Sequence, residues 1–387
     1  MHLRTLRHLD NYVGRLLIAV LRPATMLLGA ILHRDHKLEA GREVVWVKML
    51  GGGSLLLAMP MLIGFRRAYP KTRMVLITTP SVKPFAELAG LFDEYRVIEM
   101  KGLGILTSGL SAWLKTFRAD CIIDLEVHSR MTTVFTTVTM ARNRVSFWLE
   151  DIFWRRGLAS HLVFFNRSSG SYHFYDRIAD LFQYPVASQE DCRVAMKAAC
   201  AVPDPVQKVE RVCVGFACSD LGMERMLTPS QWVEVFRTHL RPDHRTFLFM
   251  GGPGDAARAE AIIVAVKAVF PALVLENLCG KSTLKQSAAT IFASTEFWGI
   301  DSSLLHQARI AGLKCLSYWG PTDPATRLRL GWEVDEQTVY RKIACSPCVH
   351  TSEEPPCHGD NRCIQGLFAP ELAPLGWTPV AYPPRNR

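Results

Sequence analysis

The feature that most constrains this chain is a rhythm that runs twice: a short apolar run, a glycine- or serine-rich turn, then a helical segment. Val44–Leu50 reads as a buried strand, Gly51-Gly52-Gly53-Ser54 as a turn and Leu55–Tyr69 as a helix. Arg73–Thr78, Tyr95–Met100 and Cys121–Leu125 read as further strands, with Lys83–Ala89 helical between them. Near Arg211 the rhythm restarts, with strands at Val212–Phe216, Thr246–Met250, Leu273–Leu275, Phe297–Ile300 and Cys315–Trp319. Ser230–Leu240, Asp255–Phe270, Leu284–Ala293 and Leu304–Ala311 are the alternating helices. Such alternation builds parallel sheets covered by helices on both faces. The expectation is an α/β protein of two Rossmann-like lobes, 44–200 and 209–330, joined through the proline-containing Ala201–Lys208. Residues 1–43 stand apart as an N-terminal segment, Ala141–Ser171 carries few regular signals, and 331–387 reads as an irregular Cys-rich tail.

Composition agrees with two domains and excludes other classes. At 387 residues and 49% apolar, the chain is neither disordered nor a coiled coil. An excess of 45 Lys and Arg over 36 Asp and Glu gives a formal charge of +9, which favours anionic partners. No nucleic-acid-binding module accompanies that charge, so nucleic acid is not an expected partner. Eleven scattered cysteines do not form a small disulfide scaffold and suit a reducing compartment. Leu16–Leu32 is interrupted by Arg22-Pro23 and lacks a small-residue cleavage site, so no clean signal peptide is read. On a helical wheel Arg4, Arg7, Asn11, Arg15 and Arg22 fall within about 80° of one another, with apolar residues filling much of the rest. Such a helix either lies on an anionic membrane surface or packs on its own protein.

In open α/β sheets, ligands bind beyond the carboxyl ends of strands, where helix N-termini offer free N–H groups. Three turns stand there. Gly51–Ser54 lets a ligand or neighbouring chain approach the backbone, or is simply a tight strand–helix turn. Gly251-Gly252-Pro253-Gly254 leads to Asp255, whose carboxylate suits ribose hydroxyls or a helix N-cap. Asp301-Ser302-Ser303-Leu304-Leu305-His306 joins a carboxylate for sugar hydroxyls to hydroxyl and N–H groups for a diphosphate, or else caps its helix.

Several motifs in order resemble glycosyltransferase family 9, the ADP-heptose:lipopolysaccharide heptosyltransferases and their relatives. They are VKMLGGGSLLLAMP at Val47–Pro60, Asp124-Leu125-Glu126, NLCGKSTL at Asn277–Leu284, GIDSSLLH at Gly299–His306 and Trp319-Gly320-Pro321-Thr322-Asp323-Pro324. The resemblance covers Val44 to about Gly366. It implies a GT-B architecture, two Rossmann-like lobes facing a central cleft, with acceptor on the first and nucleotide-sugar on the second. The reading it supports is inverting transfer of a sugar, heptose from ADP-heptose, to a lipopolysaccharide or lipid-linked glycan. No catalytic metal is expected, since a basic residue and a helix dipole can carry the diphosphate charge and no DxD motif stands near the site. By the same resemblance Asp301 holds the donor sugar, and Ser302, Ser303 and His306 surround the diphosphate. Cys218 and Ser219 face phosphate, Arg225 neutralises it, Asp255 holds the ribose and Ser282 lies near the adenine pocket. Gly53 and Ser54 close the acceptor-side turn. With the charge and the N-terminal helix, this implies a cytoplasmic protein held peripherally on the inner face of a bacterial cytoplasmic membrane.

One departure bears on chemistry. The family's first turn ends in an Asp that serves as base, and here Ser54 stands in its place; an unaided serine hydroxyl is no base at neutral pH. Either another group deprotonates the acceptor, or the chain is a non-catalytic GT-B binding or scaffolding protein. Glu126 is the first candidate base and His128 the second, both beyond the strand Cys121–Leu125. In the alternative, Asp124 and Glu126 are structural, pairing with nearby arginines such as Arg130. In the tail, Cys345, Cys348, Cys357 and Cys363 have spacings that suit a structural zinc, two disulfides or four buried thiols.

Overall fold

The computed structural model describes residues 3–149, 154–164, 166, 169–218, 220–349, 357, 361–368 and 380–381. The chain divides into two units, Met1–Cys192 and Arg193–Arg387. In the first unit the order is α1 (Leu3–Leu32), β1 (Glu43–Lys48), α2 (Gly53–Ala68), β2 (Arg73–Thr78), α3 (Lys83–Glu87) and β3 (Glu94–Val97). There follow α4 (Gly104–Thr116), β4 (Cys121–Asp124), α5 (Arg130–Val138), β5 (Asn143–Trp148), β6 (His161–Phe164) and α6 (Ser171–Leu181). The boundary falls within α7 (Gln189–Ala199).

The six strands form one parallel sheet in the order β3-β2-β1-β4-β5-β6. Strand β1 is buried on both faces, and its alternation splits the core. Val44 and Trp46 meet Leu55, Ala58, Met61 and Phe65 of α2 and Ile178 of α6. Val45 and Val47 share the opposite face with Val75, Ile77, Ile122 and Phe135 of α5. Strands β5 and β6 lie in the stretch 141–171 where the sequence offers few signals. They are short, and β5 opens with Asn143 and Arg144, which obscure its periodicity.

Helix α1 runs through Arg22-Pro23 without a break. Asp10 ties it to the start of α5: its carboxylate accepts from Ser129 Oγ at 2.9 Å, Arg130 N at 3.0 Å and Met131 N at 2.9 Å. The two N–H groups are orphan donors of a helix start, satisfied here from another helix, and the hydroxyl belongs to Ser129, the N-cap of α5. Asn11 accepts from Arg130 Nη1 at 2.7 Å, and a Cβ at Gly14 would lie 2.6 Å from Arg130 Cβ, so only glycine admits this approach. Ile18 completes the contact with Val134 and Leu158. The face turned outward is therefore the apolar one, carrying Tyr12, Leu16, Val20, Leu27 and Ile31.

The second unit contains β7 (Val209–Gly215), α8 (Pro229–His239), β8 (Thr246–Phe249), α9 (Ala256–Val269), β9 (Val274–Asn277), α10 (Leu284–Phe292) and β10 (Ser294–Ile300). It continues with α11 (Ser303–Ala311), β11 (Lys314–Trp319), α12 (Pro324–Arg327), β12 (Glu336–Tyr340), α13 (Arg362–Phe368) and β13 (Val380–Ala381). Its sheet order is β13-β12-β11-β10-β7-β8-β9, parallel except for β13. Val214, Phe216, Trp232, Phe236, Phe247 and Trp298 form its core. The tail expected to be irregular thus adds two strands to this sheet and a helix, α13, whose Cys363 and Ile364 join the core. Both units are doubly wound α/β folds, as the repeated rhythm requires.

Candidate active site

Each sheet reverses strand order once, between β1 and β4 in the first unit and between β10 and β7 in the second. A crevice opens beyond the carboxyl ends of strands at such a switch point. Most candidate residues follow the strands at these two places; Asp255 follows β8 and Ser282 follows β9 instead.

In the second unit Arg225 follows β7 and Asp301 follows β10, and the two meet across the switch point. Arg225 Nη1 donates to the Asp301 carbonyl at 2.8 Å and to its Oδ2 at 3.2 Å. Burial works against the Asp301 charge, but Arg225, then Arg327 and His306, outweigh it and hold the carboxyl below the usual carboxylate range. His306, in the first turn of α11, shifts the other way. Burial, aided by Arg309, Arg327 and Arg225, lowers it to about 4 despite Asp301, so the imidazole is neutral at pH 7. Ser302 precedes α11 and is buried, and its Oγ meets no partner among the described residues. Ser303 opens the helix half-buried.

The Cys218 thiol donates to the Gly222 carbonyl at 3.0 Å, and burial raises it despite nearby Arg225. Ser219 lies outside the described residues. Asp255 accepts from Gly252 N at 2.8 Å and closes its own turn. The Ser282 and Ser287 hydroxyls are 2.8 Å apart. Two residues near Asp301 are not singled out from sequence, Arg327 and Thr322, and both help to hold its carboxyl low. Thr322 stands inside the Trp319–Pro324 motif and Arg327 three residues beyond it, so the motif's spacing was the available signal.

In the first unit the corresponding junction is made by Glu126. Its Oε1 accepts from both Met49 N and Leu50 N at 2.7 Å, and its Oε2 pairs with Lys48 Nζ at 3.1 Å. The loop after β1 is thus held by the loop after β4. Burial opposes the Lys48 charge, yet Glu126 and further anionic neighbours raise its pKa. Asp124 is buried beside it, accepting from Glu126 N at 3.0 Å, Thr132 Oγ1 at 2.9 Å and Arg155 Nη2 at 3.3 Å. Burial outweighs Arg155 and pushes Asp124 up to about 6. Its arginine partner is Arg155, not the Arg130 of the sequence reading. His128 is exposed on the same loop. Ser54 Oγ donates to the Gly51 carbonyl at 2.6 Å. Gly53 opens α2, and Gly52 packs under Phe85, whose Cδ2 would lie 2.0 Å from a Cβ.

The tail cysteines form no built metal site. Cys345, Cys348, Cys357 and Cys363 are free thiols, and among the described residues no group of three or more His, Cys, Asp or Glu is placed to hold a metal. Cys363 packs against Gly320, and burial, aided by Cys348, Cys357 and Cys345, raises its thiol to about 12. The zinc expectation therefore gains no support from the structure.

The sequence model of glycosyltransferase family 9 (heptosyltransferase) matches residues 177–358. Over these residues, just under half of the chain, the sequence is similar to that family. The match runs from α6 through the Asp301 cluster and is narrower than the span 44–366 over which motifs resemble the family. No curated protein matches the chain in sequence. Among solved structures, a family 9 glycosyltransferase from Veillonella parvula is similar, at 14% identity and TM-score 0.57, with 79% of this chain and 88% of that chain covered. E. coli ADP-heptose lipopolysaccharide heptosyltransferase II gives 14% identity and TM-score 0.57, covering 86% and 100%. E. coli heptosyltransferase WaaC with ADP-2-deoxy-2-fluoro heptose gives 13% and 0.59, covering 78% and 93%. These similarities establish the GT-B class of fold, and the family 9 match over 177–358 supports sugar transfer as the activity.

Proposed function

We propose that the chain transfers a heptose from ADP-heptose to a lipopolysaccharide-type or lipid-linked glycan, with inversion at the anomeric carbon. The observation that carries this reading is the buried Arg225–Asp301 pair beside a Ser302 hydroxyl without a partner among the described residues. Asp301 is ionised to accept from sugar hydroxyls, and Arg225 and the N-terminus of α11 offer positive potential to a leaving diphosphate. Neutral His306 adds a donor or acceptor without a charge of its own. That WaaC has been crystallised with ADP and with an ADP-heptose analogue supports the choice of donor. In the reaction an acceptor oxygen bonds the anomeric carbon as the bond to the departing phosphate oxygen breaks. The acceptor proton passes to a base on the first unit, for which Glu126 is the first choice and His128 the second.

Calorimetric titration with ADP tests the donor site. Losing a charge-assisted hydrogen bond to phosphate costs about 1.5–3 kcal/mol, so Arg225→Ala should weaken ADP roughly 10- to 150-fold. An unchanged dissociation constant removes Arg225 from the site. Release of ADP from ADP-heptose in the presence of a lipopolysaccharide-core acceptor tests turnover.

A second reading, a nucleotide-binding protein without turnover, is favoured by one contact. Ser54 has no carboxylate, and its hydroxyl is already spent on Gly51. ADP binding without release from any nucleotide-sugar would select it.

Attachment to the inner face of a bacterial membrane belongs to the same proposal. Asp10–Leu32 is long and apolar enough to cross a membrane by length and composition, a test that core helices and signal sequences also pass. The Asp10 contacts with α5 favour a helix lying on the surface, since a spanning helix would have to leave three donors unpaired. Removing residues 1–33 should release the protein into the soluble fraction; continued sedimentation with membranes places the anchor elsewhere.

A further inference from the structure

Helix α4 is built inside out. Leu103, Leu106, Leu110, Leu114 and Phe117 recur at three- and four-residue spacing, which puts them on one helical face, and all five are exposed, Leu103 to 79% and Leu114 to 60%. The inward positions are held by the small Ala112 and Thr116 and by the Trp113 N–H, which donates to the Val138 carbonyl at 3.0 Å. A soluble helix normally turns its apolar stripe to the core.

The C-terminal ends of α1 and α4 converge on one cavity of about 280 Å³, lined by Arg34, Asp35, Arg118, Met140 and Arg142. Arg34 lies two residues beyond α1 and Arg118 two beyond α4. Arg142 pairs with Asp35 at 3.0 Å, and Arg34 Nη1 donates to the Met140 carbonyl at 2.9 Å. The Arg118 guanidinium lies 5.8 Å from the centroid of the Phe117 ring. Three guanidiniums against one carboxylate leave the cavity with two positive charges in excess.

We propose that the α4 stripe and the Arg34–Arg118–Arg142 cavity form a docking surface for an anionic phospholipid bilayer. Charge complementarity selects this occupant: the stripe takes acyl chains, the cavity takes a phosphate, and an anionic phospholipid presents both in one molecule. Exposed Lys101 and Lys115 flank the stripe and add attraction to an anionic surface. The inference rests on the surface-attachment reading but uses residues outside α1.

Co-sedimentation of the full chain with vesicles of phosphatidylcholine alone, and of phosphatidylcholine with phosphatidylglycerol, tests it. Leu106→Ser with Leu110→Ser should weaken binding to the anionic vesicles by about ten-fold or more. Arg118→Gln should weaken it about five-fold on anionic vesicles and leave neutral ones unchanged. Wild-type binding by both variants overturns the inference. So does a dimer that the serine changes convert to monomer without affecting vesicles, which makes the stripe a self-association face. Calorimetric binding of inorganic phosphate lost in Arg118→Gln, with vesicle binding intact, makes the cavity a site for free anion and also overturns it. Leu16→Ser with Val20→Ser, on the outward face of α1, runs in parallel. Loss there alone leaves attachment through α1 standing and this inference rejected; loss in neither rejects both. Should the double serine change unfold the protein, Arg118→Gln decides.

Discussion

Glu126 shows how one carboxylate can serve two ends that experiment can separate. It is enclosed by the Lys48 ammonium and two backbone N–H groups. Glu126→Gln leaves Lys48 buried without its partner, a loss of about 3–5 kcal/mol by the usual cost of breaking a buried pair. If Glu126 is also the base, the same change lowers turnover about 100-fold or more. Adding Lys48→Met to Glu126→Gln should restore stability, read from denaturant unfolding, and leave turnover low; recovery of both makes Glu126 purely structural. His306 carries the pH dependence of the donor site. Its ordinary value of 6.5 falls to about 4 in the fold. Above both values the folded and unfolded states bind no proton there; as pH falls through this window the unfolded state takes one first, so stability is lost. The wild type should lose on the order of 3 kcal/mol relative to His306→Gln between about pH 6.5 and 4, measured by urea unfolding at each pH. Asp301, Ser302, Ser303 and His306 were legible because a strand, a polar turn and a helix are consecutive in sequence. The Asp124–Arg155 pair was not, since the two lie 31 residues apart and only the fold brings them together.

At the scale of elements, legibility followed the strength of periodicity. Strand β1 and helix α2 were plain from their apolar runs. Strands β5 and β6 were not, while the single helix that the wheel assumes from Arg4 to Arg22 is present as α1 and continues past Pro23. The wheel located the polar stripe of α1 but not its direction. Asn11 turns inward to Arg130, which leaves leucines outside. The Asp10 cap makes this arrangement measurable. Asp10→Ala removes the acceptor for three donors at the start of α5 and should destabilise the first unit by about 1–2 kcal/mol, the range for losing an N-terminal cap. A melt indistinguishable from wild type would show that the cap contributes nothing to the docking of α1.

Among the described residues every apolar core cluster is drawn from one unit alone. A ligand that binds one native unit stabilises that unit by mass action. Scanning calorimetry should resolve two transitions, and ADP at about 100 times its dissociation constant should stabilise one by about 2.7 kcal/mol and leave the other in place. Movement of both transitions together would mean that the units unfold as one cooperative body.

The Asp10 carboxylate also joins two parts of the first unit that sequence places more than a hundred residues apart. It holds Ser129, Arg130 and Met131, and Ser129 is the next residue after exposed His128. Helix α1 and the β4–α5 loop therefore keep a fixed spacing, as a keel fixes the height of a deck. Were a bilayer to take the outward leucines of α1, as proposed, that spacing would set how far above its plane His128 stands, and with it the length of glycan stem able to reach the loop.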